Sequence, residues 1–414
     1  MQNTGKHRRP LSLVSLVATL VAIGALLAGC AGSAQPASNP AASPQSAATS
    51  VTQPTPASKD PYRVGALFAV TGFNSPLGTP ERDTAKMLEE QINAKGGING
   101  HKLEVVAYDT ESDETKCVTL AKKLIEQDKV LAIIGPSSTA ESLALIDTVE
   151  KAGIPLVSCA ASAQITTPIK KWVFKTPQSD IQAVTEIYDY LKTKGITKVA
   201  LLTSSGGFGT TGKAALEQAA SGAGISIVAA ETFGDKDSDM TAQLTRVKGT
   251  PAQAVICWGT NPGPAIIAKN MRQLNMSIPL LQSHGVANQK FIELAGEAAN
   301  GVVFPAGKLL VYQTLPDSDP QKPVLASYAK SFQDKYGRAA DTFGGHAYDA
   351  LMLVAGALEK VGPDKGKIRD EIEKTTGFIG TAGVFNMSPN DHNGLGKGCF
   401  VMIKIVDGKW TEEK

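Results

Sequence analysis

The chain has 414 residues, a formal net charge of +2 at pH 7, 42% hydrophobic residues and 19% charged residues. This balance is typical of a globular protein, and the length exceeds what a single hydrophobic core usually holds. Nothing in the near-neutral charge suggests the strongly basic surface that nucleic-acid binding needs, so we expect no nucleic-acid partner.

The N-terminal residues 1–29 have the pattern of a secretory signal peptide. Basic residues without an acid precede the largely apolar run 11–28, as in the charged and apolar regions of such signals. The run closes on a Leu-Ala-Gly-Cys sequence that ends at Cys30 and resembles the lipobox of bacterial lipoproteins. We expect cleavage after residue 29 and a lipid on Cys30. The alternative is an uncleaved anchor, since about 18 apolar residues can cross a bilayer, but it leaves the lipobox unexplained.

Residues 30–60 are almost entirely small or polar, with no aromatic residue and no charge before Lys59. Such a segment buries too little surface to order itself, so it is predicted to be a flexible tether. A tether behind a lipid anchor places the rest of the chain outside the cytoplasm, on the periplasmic side if the host has an outer membrane.

From Tyr62 onward, short apolar runs alternate with amphipathic stretches, which predicts βα units around parallel sheets. Strands are predicted at 63–68, 102–109, 131–135, 155–158, 198–203, 225–231, 254–258, 279–282 and 301–305, with a final pair around 399–406. Helices are predicted at 81–95, 117–127, 212–223, 324–336 and 343–361.

The βα rhythm pauses around 171–180 and then resumes, which predicts an α/β chain of two doubly wound lobes. The first lobe is assigned 61–177 plus 306–384, and the second 178–305 plus 385–414. A chain that crosses between lobes more than once forms a hinge, and hinged lobes can close on a ligand. The carboxyl ends of both sets of strands are expected to face that cleft.

The segment 207–214 satisfies the dinucleotide pattern GxGxxG, with Glu231 further along, and nearly satisfies the phosphate-binding loop. Ala214 stands where that loop needs a hydroxyl for Mg²⁺, and no nicotinamide pool is expected outside the cytoplasm. We therefore expect no cofactor. A glycine-rich turn whose amides and Phe208 face the cleft fits better.

Catalytic and metal-binding motifs are missing from the sequence. No GxSxG, HExxH or CxxC pattern occurs, so an NAD-dependent or hydrolytic enzyme is the weakest alternative and no metal is expected. An even number of cysteines follows Cys30, in a compartment that allows disulfides, and their pairing stays open. They are Cys117, Cys159, Cys257 and Cys399.

Several segments in chain order resemble one family, the substrate-binding proteins of hydrophobic amino-acid ABC transporters, typified by the leucine/isoleucine/valine-binding protein. The resemblance runs from Tyr62 to the C-terminus. It is carried by 134–139, 152–162, 174–176, 208–209, 239–244, 347–350 and 406–409. It implies a two-lobed periplasmic-binding-protein fold of type I.

The resemblance also implies a ligand site. In this family, hydroxyls and backbone amides at two helix N-termini of the first lobe hold the ligand carboxylate, where the helix dipole favours an anion. The matching positions are Ser137, Ser138 and Thr139 in one turn and Ala160, Ala161 and Ser162 in the other. Capping alone would also explain the hydroxyl residues.

The ammonium of an amino-acid ligand would be held by the Ala160 carbonyl and by a carboxylate of the second lobe. That carboxylate aligns with Asp237, although the loop 234–239 holds three acids and the choice among them stays open. An acid-rich loop would ordinarily be solvated surface.

The side-chain pocket departs from the family. Phe208 stands where a tyrosine is usual, and Leu77 stands where the branched-chain binder has a tryptophan. His284 follows a predicted strand and is expected to line the same cleft. In the first-lobe family disulfide, Cys117 matches one partner but the other cysteine is missing.

The resemblance therefore implies an extracytoplasmic solute-binding lipoprotein. It would act as a monomer, close on a small carboxylate-bearing ligand, first a hydrophobic amino acid, and deliver it to the permease subunits of an ABC transporter. A ligand sensor for an amide, urea or aromatic acid on the same fold is the alternative. In either role the only membrane contact would be the lipid on Cys30.

Overall fold

The computed structural model describes residues 59–413. The predicted signal peptide, Cys30 and residues 30–58 of the predicted tether lie outside this range. Within residues 59–413, no helix combines the length and the apolar character needed to cross a bilayer.

The first sheet is fully parallel and has the strand order β2-β1-β3-β4-β5. Its strands are β1 Lys59–Phe68, β2 His101–Asp109, β3 Ala132–Ile134, β4 Leu156–Ser158 and β5 Val173–Lys175. Three of them are short and buried along their whole length, as expected for a sheet covered on both faces. This is the first lobe.

The second sheet has the order β14-β13-β10-β9-β8-β6-β7. The strands are β6 Lys198–Ser204, β7 Ser226–Phe233, β8 Ala254–Trp258, β9 Leu280–Gln282, β10 Val303–Ala306, β13 Val401–Val406 and β14 Lys409–Glu412. The pairing is parallel from β7 to β10, and the last two strands are antiparallel. This is the second lobe. A separate hairpin joins β11 Thr376–Ile379 to β12 Val384–Asn386.

The helices lie mostly between strands, as the βα rhythm predicts. They are α1 Ser75–Ala94, α2 Glu114–Glu126, α3 Thr139–Ala152, α4 Asp180–Thr193, α5 Gly207–Ala223, α6 Thr241–Lys248, α7 Gly263–Gln273, α8 Gln289–Ala295, α9 Lys322–Tyr336, α10 Thr342–Val361 and α11 Lys365–Glu373.

Two helices begin five or more residues earlier than predicted. Helix α1 begins at Ser75 rather than residue 81, because a proline in its first two positions suits a helix start. Helix α5 begins at Gly207 rather than residue 212, so the whole glycine-rich segment 207–214 is helical and not a loop. Both changes put the cleft-facing residues of these segments on a helix.

Apolar side chains cover both faces of the first sheet. One cluster packs α2 and α3 against it. A larger cluster joins its opposite face to α1 and α10 and continues to α5 and the second sheet. The two lobes therefore share buried contacts.

Each sheet reverses its strand order once, between β1 and β3 in the first lobe and between β6 and β8 in the second. Ligands of open α/β sheets bind beyond the carboxyl ends of the strands at such a switch point. Two lobes built this way confirm the predicted fold class. The ligand-binding site is expected between their two switch points.

Candidate ligand-binding site

A cavity of about 690 Å³, counting the part open to solvent, lies between the two switch points. The residues predicted from sequence that line it are Leu77, Ser137, Ser138, Thr139, Ala160, Ala161, Phe208 and His284. Ser162 and Asp237 are not in the lining.

The N-terminus of α3 opens into this cavity from the first lobe. Ser138 is its N-cap. Its hydroxyl accepts from the Glu141 amide at 3.3 Å and its own amide donates to Glu141 Oε2 at 3.2 Å, which together form a capping box. The first-turn amides of Thr139 and Ala140 have no acceptor within the helix. They are therefore free to hold an anion at the positive end of the helix dipole.

A buried network supports this turn from behind. The Ser137 hydroxyl accepts from the Ala69 amide at 3.0 Å and donates to the Glu81 carboxyl. Glu81 is fully buried, and burial raises its pKa well above the usual range. The Ser137 hydroxyl is thus engaged in the structure, and its part at the site is to fix the turn.

The second first-lobe turn is held by hydroxyls as well. The Ser158 hydroxyl accepts from the Ala160 amide at 3.1 Å and lies 2.8 Å from the Ser142 hydroxyl. Ala160 and Ala161 then border the cavity. Ser162 turns away, because its hydroxyl accepts from the Gln164 amide at 3.2 Å and caps a short 3-10 helix.

Helix α5 faces the cavity from the second lobe, and its N-cap, Gly206, provides no side chain. The glycines of this segment are explained by packing. A Cβ on Gly209 would lie 2.0 Å from the Ser204 carbonyl oxygen, and one on Gly212 would lie 2.1 Å from Trp258 Nε1. The GxGxxG pattern thus allows α5 to approach the sheet closely, and it needs no nucleotide to explain it.

The second-lobe acid that lines the cavity is Asp235 and not Asp237. Asp237 is exposed, and its carboxylate accepts a hydrogen bond from the Gly234 amide at 2.7 Å within the same loop. Asp235 is half-buried in the lining, and burial raises its pKa. Glu114 lies at the exposed mouth. Among the described residues, no lysine or arginine lines the cavity.

Two histidines form part of the apolar end of the cavity. His284 lies edge-on to Phe208, with ring centroids 5.3 Å apart, and to Trp258, at 5.8 Å. His346 comes from α10. Burial, followed by the charge of Lys175, lowers the pKa of His284 to about 3. Burial also lowers the pKa of His346 to about 3.

Hydrogen bonds join the two lobes beside the cavity. The Thr260 hydroxyl donates to Asn74 Oδ1 at 3.3 Å, and Asn288 Nδ2 donates to the Pro76 carbonyl at 2.9 Å. Both pairs connect the start of α1 to loops that follow strands of the second sheet. The lobes are therefore in contact across the cleft, which is a closed arrangement.

The cysteines that follow Cys30 are buried and free, so neither disulfide left open by the sequence is formed. Cys159 lines the cavity, and burial raises the pKa of its thiol. Within residues 59–413, no group of three or more metal-ligating side chains could hold an ion.

Some lining residues were missed from the sequence. Asn74 and Thr260 follow β1 and β8, so the switch-point rule applied to every strand end would have indicated them. Phe343 and His346 lie on α10, which was predicted as a helix, but no sequence signal gives the face that meets the cleft.

The model of the family described as periplasmic binding protein matches residues 61–409. The leucine-, isoleucine-, valine-, threonine- and alanine-binding protein of Pseudomonas aeruginosa is 25% identical over 320 residues, which cover 77% of this chain and 83% of that protein.

Solved structures agree in fold. An extracellular ligand-binding receptor from Rhodopseudomonas palustris is 28% identical with a TM-score of 0.81, covering 85% of this chain and 99% of its own. A branched-chain amino acid transporter substrate-binding protein from Streptococcus pneumoniae, solved with isoleucine, is 26% identical with a TM-score of 0.76, covering 84% and 97%. The predicted resemblance is confirmed, and these relatives are binding proteins and not enzymes.

Proposed function

The chain belongs to the periplasmic binding protein family, and we propose that it captures a small carboxylate-bearing ligand, first a hydrophobic amino acid, and delivers it to an ABC permease. The observation that carries this proposal is the α3 N-terminus, which opens into a cavity whose described lining has no lysine or arginine. A carboxylate there would be held by helix amides, with no cationic side chain beside it.

An ammonium group fits the opposite side of the same cavity. Asp235 of the second lobe is half-buried in the lining, and Glu114 lies at the mouth. Since α3 and Asp235 come from different lobes, a zwitterion between them would bridge the cleft. Bridging gives the ligand more contacts in the closed state than in the open one, so its binding favours closure.

The body of the ligand would lie against apolar side chains. Leu77 and Phe343 are buried, and Phe208 covers the second-lobe side. A hydrophobic amino acid presents such an apolar surface beyond its α-carbon. The named ligands of the relatives, leucine, isoleucine and valine among them, are of this class.

The closed form would be the species that a permease recognises. The Asn74–Thr260 and Asn288–Pro76 contacts can form only when the lobes meet. The proposed lipid on Cys30 and the tether would keep the protein near the permease and raise its local concentration there. The family points to a location outside the cytoplasm.

A thermal-shift screen tests the proposal. The full-length chain is heated with hydrophobic amino acids, aromatic acids, amides and urea in turn. A ligand at a hundredfold excess over its Kd is expected to stabilise the folded state by about 2.7 kcal/mol. Stabilisation by amides or urea but by no carboxylate would contradict the proposed carboxylate ligand and favour the sensor alternative.

A Cys30→Ala variant tests the anchor separately. It is expected to leave the membrane fraction while keeping the ligand affinity of the parent. Loss of binding in this variant would contradict the assignment of separate roles to the anchor and the lobes.

A further inference from the structure

The histidines at the apolar end of the cavity have unsatisfied ring nitrogens. His284 is 7% exposed and His346 is 5% exposed, and both line the cavity. Within residues 59–413, three ring nitrogens of this pair have no hydrogen-bond partner: Nδ1 and Nε2 of His284 and Nδ1 of His346. A buried polar group without a partner is costly, so this arrangement calls for an explanation.

Both rings are neutral over the physiological range. Burial opposes the charged form, and Lys175, whose ammonium donates to the Pro177 carbonyl at 2.7 Å, adds a nearby positive charge. Burial lowers the pKa of Lys175 itself to about 8, against the raising effect of the Asp180 and Asp391 carboxylates. A neutral imidazole has one donor nitrogen and one acceptor nitrogen. The pair can therefore both give and receive a hydrogen bond without carrying charge.

The pair lies beside the crossover between the lobes. His284 follows β9 of the second sheet, whereas His346 is on α10, which packs against α1. The Thr176 hydroxyl donates to the His346 carbonyl at 2.9 Å, and Pro177 belongs to the same lining. A group held by both rings would therefore contact elements of both lobes.

We infer that the ligand carries a hydroxyl on its apolar body, away from the carboxylate, and that His284 and His346 receive it. A hydroxyl donates one hydrogen bond and accepts others, so a single group would satisfy an acceptor nitrogen on one ring and a donor nitrogen on the other. This inference rests on the proposed function, because it assumes that the carboxylate occupies the α3 N-terminus. It narrows the ligand class to hydroxylated hydrophobic acids.

Calorimetry of the full-length chain in detergent tests this with matched ligands. The pairs are phenylalanine with tyrosine, and 3-phenylpropanoate with 3-(4-hydroxyphenyl)propanoate. The hydroxylated member of at least one pair is expected to bind about tenfold more tightly, since the unhydroxylated one leaves buried groups unpaired. Equal affinities within both pairs would overturn the inference and leave the proposed function standing. Binding of none of the four would also overturn the inference, and the thermal-shift screen with aliphatic amino acids would then decide the proposed function separately.

Variants then locate the effect. Each phenylalanine variant removes the ring nitrogens and keeps an aromatic ring. His284→Phe keeps it beside Phe208, Trp258 and Phe400, and His346→Phe keeps it beside Phe343. Each is expected to reduce the tenfold preference for the hydroxylated ligand to about onefold. His284→Asn, which keeps a donor and an acceptor, should retain part of the preference. A preference that survives both phenylalanine variants would place the hydroxyl elsewhere and overturn the assignment.

Discussion

The turns that begin α3 and α5 occupy the same topological position in the two lobes, yet they are built differently. The α3 turn has a capping box at Ser138 and a buried hydroxyl–carboxyl pair, Ser137 with Glu81, behind it. The α5 turn starts on Gly206 without a side-chain cap. One turn is fixed by side chains and the other by close backbone packing.

The difference gives the two turns separate tasks. A turn held by buried hydrogen bonds presents its amides at a fixed place, which suits the recognition of a charged group. A glycine turn permits close approach: a Cβ on Gly207 would lie 3.1 Å from Cα of Ala140. Under the proposed function, the first lobe positions the ligand and the second lobe closes over it.

The largest expected effect is at the glycine turn. Gly209→Ala would place a methyl group 2.0 Å from the Ser204 carbonyl oxygen, which is main chain and cannot rotate away. We expect the free energy of unfolding to fall by about 3 kcal/mol, as in strongly overpacked sites. Urea denaturation of the two proteins measures it.

Gly222→Ala on the same helix is the matched control. Nothing lies within 4 Å of a Cβ there, so the substitution should raise stability by about 0.5–1 kcal/mol through helix propensity alone. Equal effects at the two positions would mean that packing does not explain the glycines of α5.

The first-lobe turn should respond to loss of a hydrogen bond. Ser137→Ala removes the partner of the Glu81 carboxyl and of the Ala69 amide. Leaving such buried groups unpaired should cost about 2 kcal/mol in unfolding free energy. The double variant Ser137→Ala with Glu81→Leu should recover part of that loss, and an additive loss would contradict the coupling.

The same contrast shows what the sequence could predict. Helix α10 was placed within one residue because its long apolar periodicity leaves no alternative. The Ser138 capping box is a local pattern, Ser followed three residues later by Glu141, and it is legible in the sequence.

Other features depend on tertiary geometry. Every second residue of the 234–239 loop is acidic, and the turn of this loop determines that Asp235, rather than Asp237, lines the cavity. The face of α10 that carries His346 into the cavity depends on how that helix packs on α1. Family alignment gave the positions of the first-lobe turns, but it could not give the contacts within them.

Buried titratable groups in the two lobes make stability depend on pH in different ways. Burial raises the pKa of Glu81 in the first lobe, so that carboxyl costs stability as pH rises above its unfolded value. His284 behaves oppositely: its folded pKa is about 3, below the ordinary 6.5. The unfolded chain then binds this proton more tightly, and stability is lost as pH falls from 6.5 toward 3.

His284→Asn removes that second contribution. The unfolding free energy of the variant minus that of the parent should rise by about 2 kcal/mol when the pH is lowered from 7.5 to 5. This value follows from the difference between the folded and unfolded pKa values of His284. Denaturation curves of both proteins at the two pH values give the quantity. A constant difference would show that His284 titrates normally in the folded state.

The smallest expected change in stability comes from testing the anion position itself. Ala140 lies in the first turn of α3, where a negative charge is favourable to the helix, so Ala140→Asp should change the unfolding free energy by less than about 1 kcal/mol. Its carboxylate would nonetheless compete for the amides that we assign to the ligand. We expect at least a tenfold loss of carboxylate affinity, measured by calorimetry.

Ala140→Asn separates charge from size at this position. Both side chains would crowd Gly207 in the closed state, so the asparagine variant gives the steric part of the loss and the aspartate adds repulsion of the ligand carboxylate. Thr210→Asp puts the same charge on the exposed first turn of α5 and should leave the affinity unchanged. Equal weakening of binding by Asp and Asn at position 140 would show that the anion does not lie at α3. The same conclusion would follow if Thr210→Asp weakened binding as much as Ala140→Asp. In either case the two turns would not have the separate roles proposed for them.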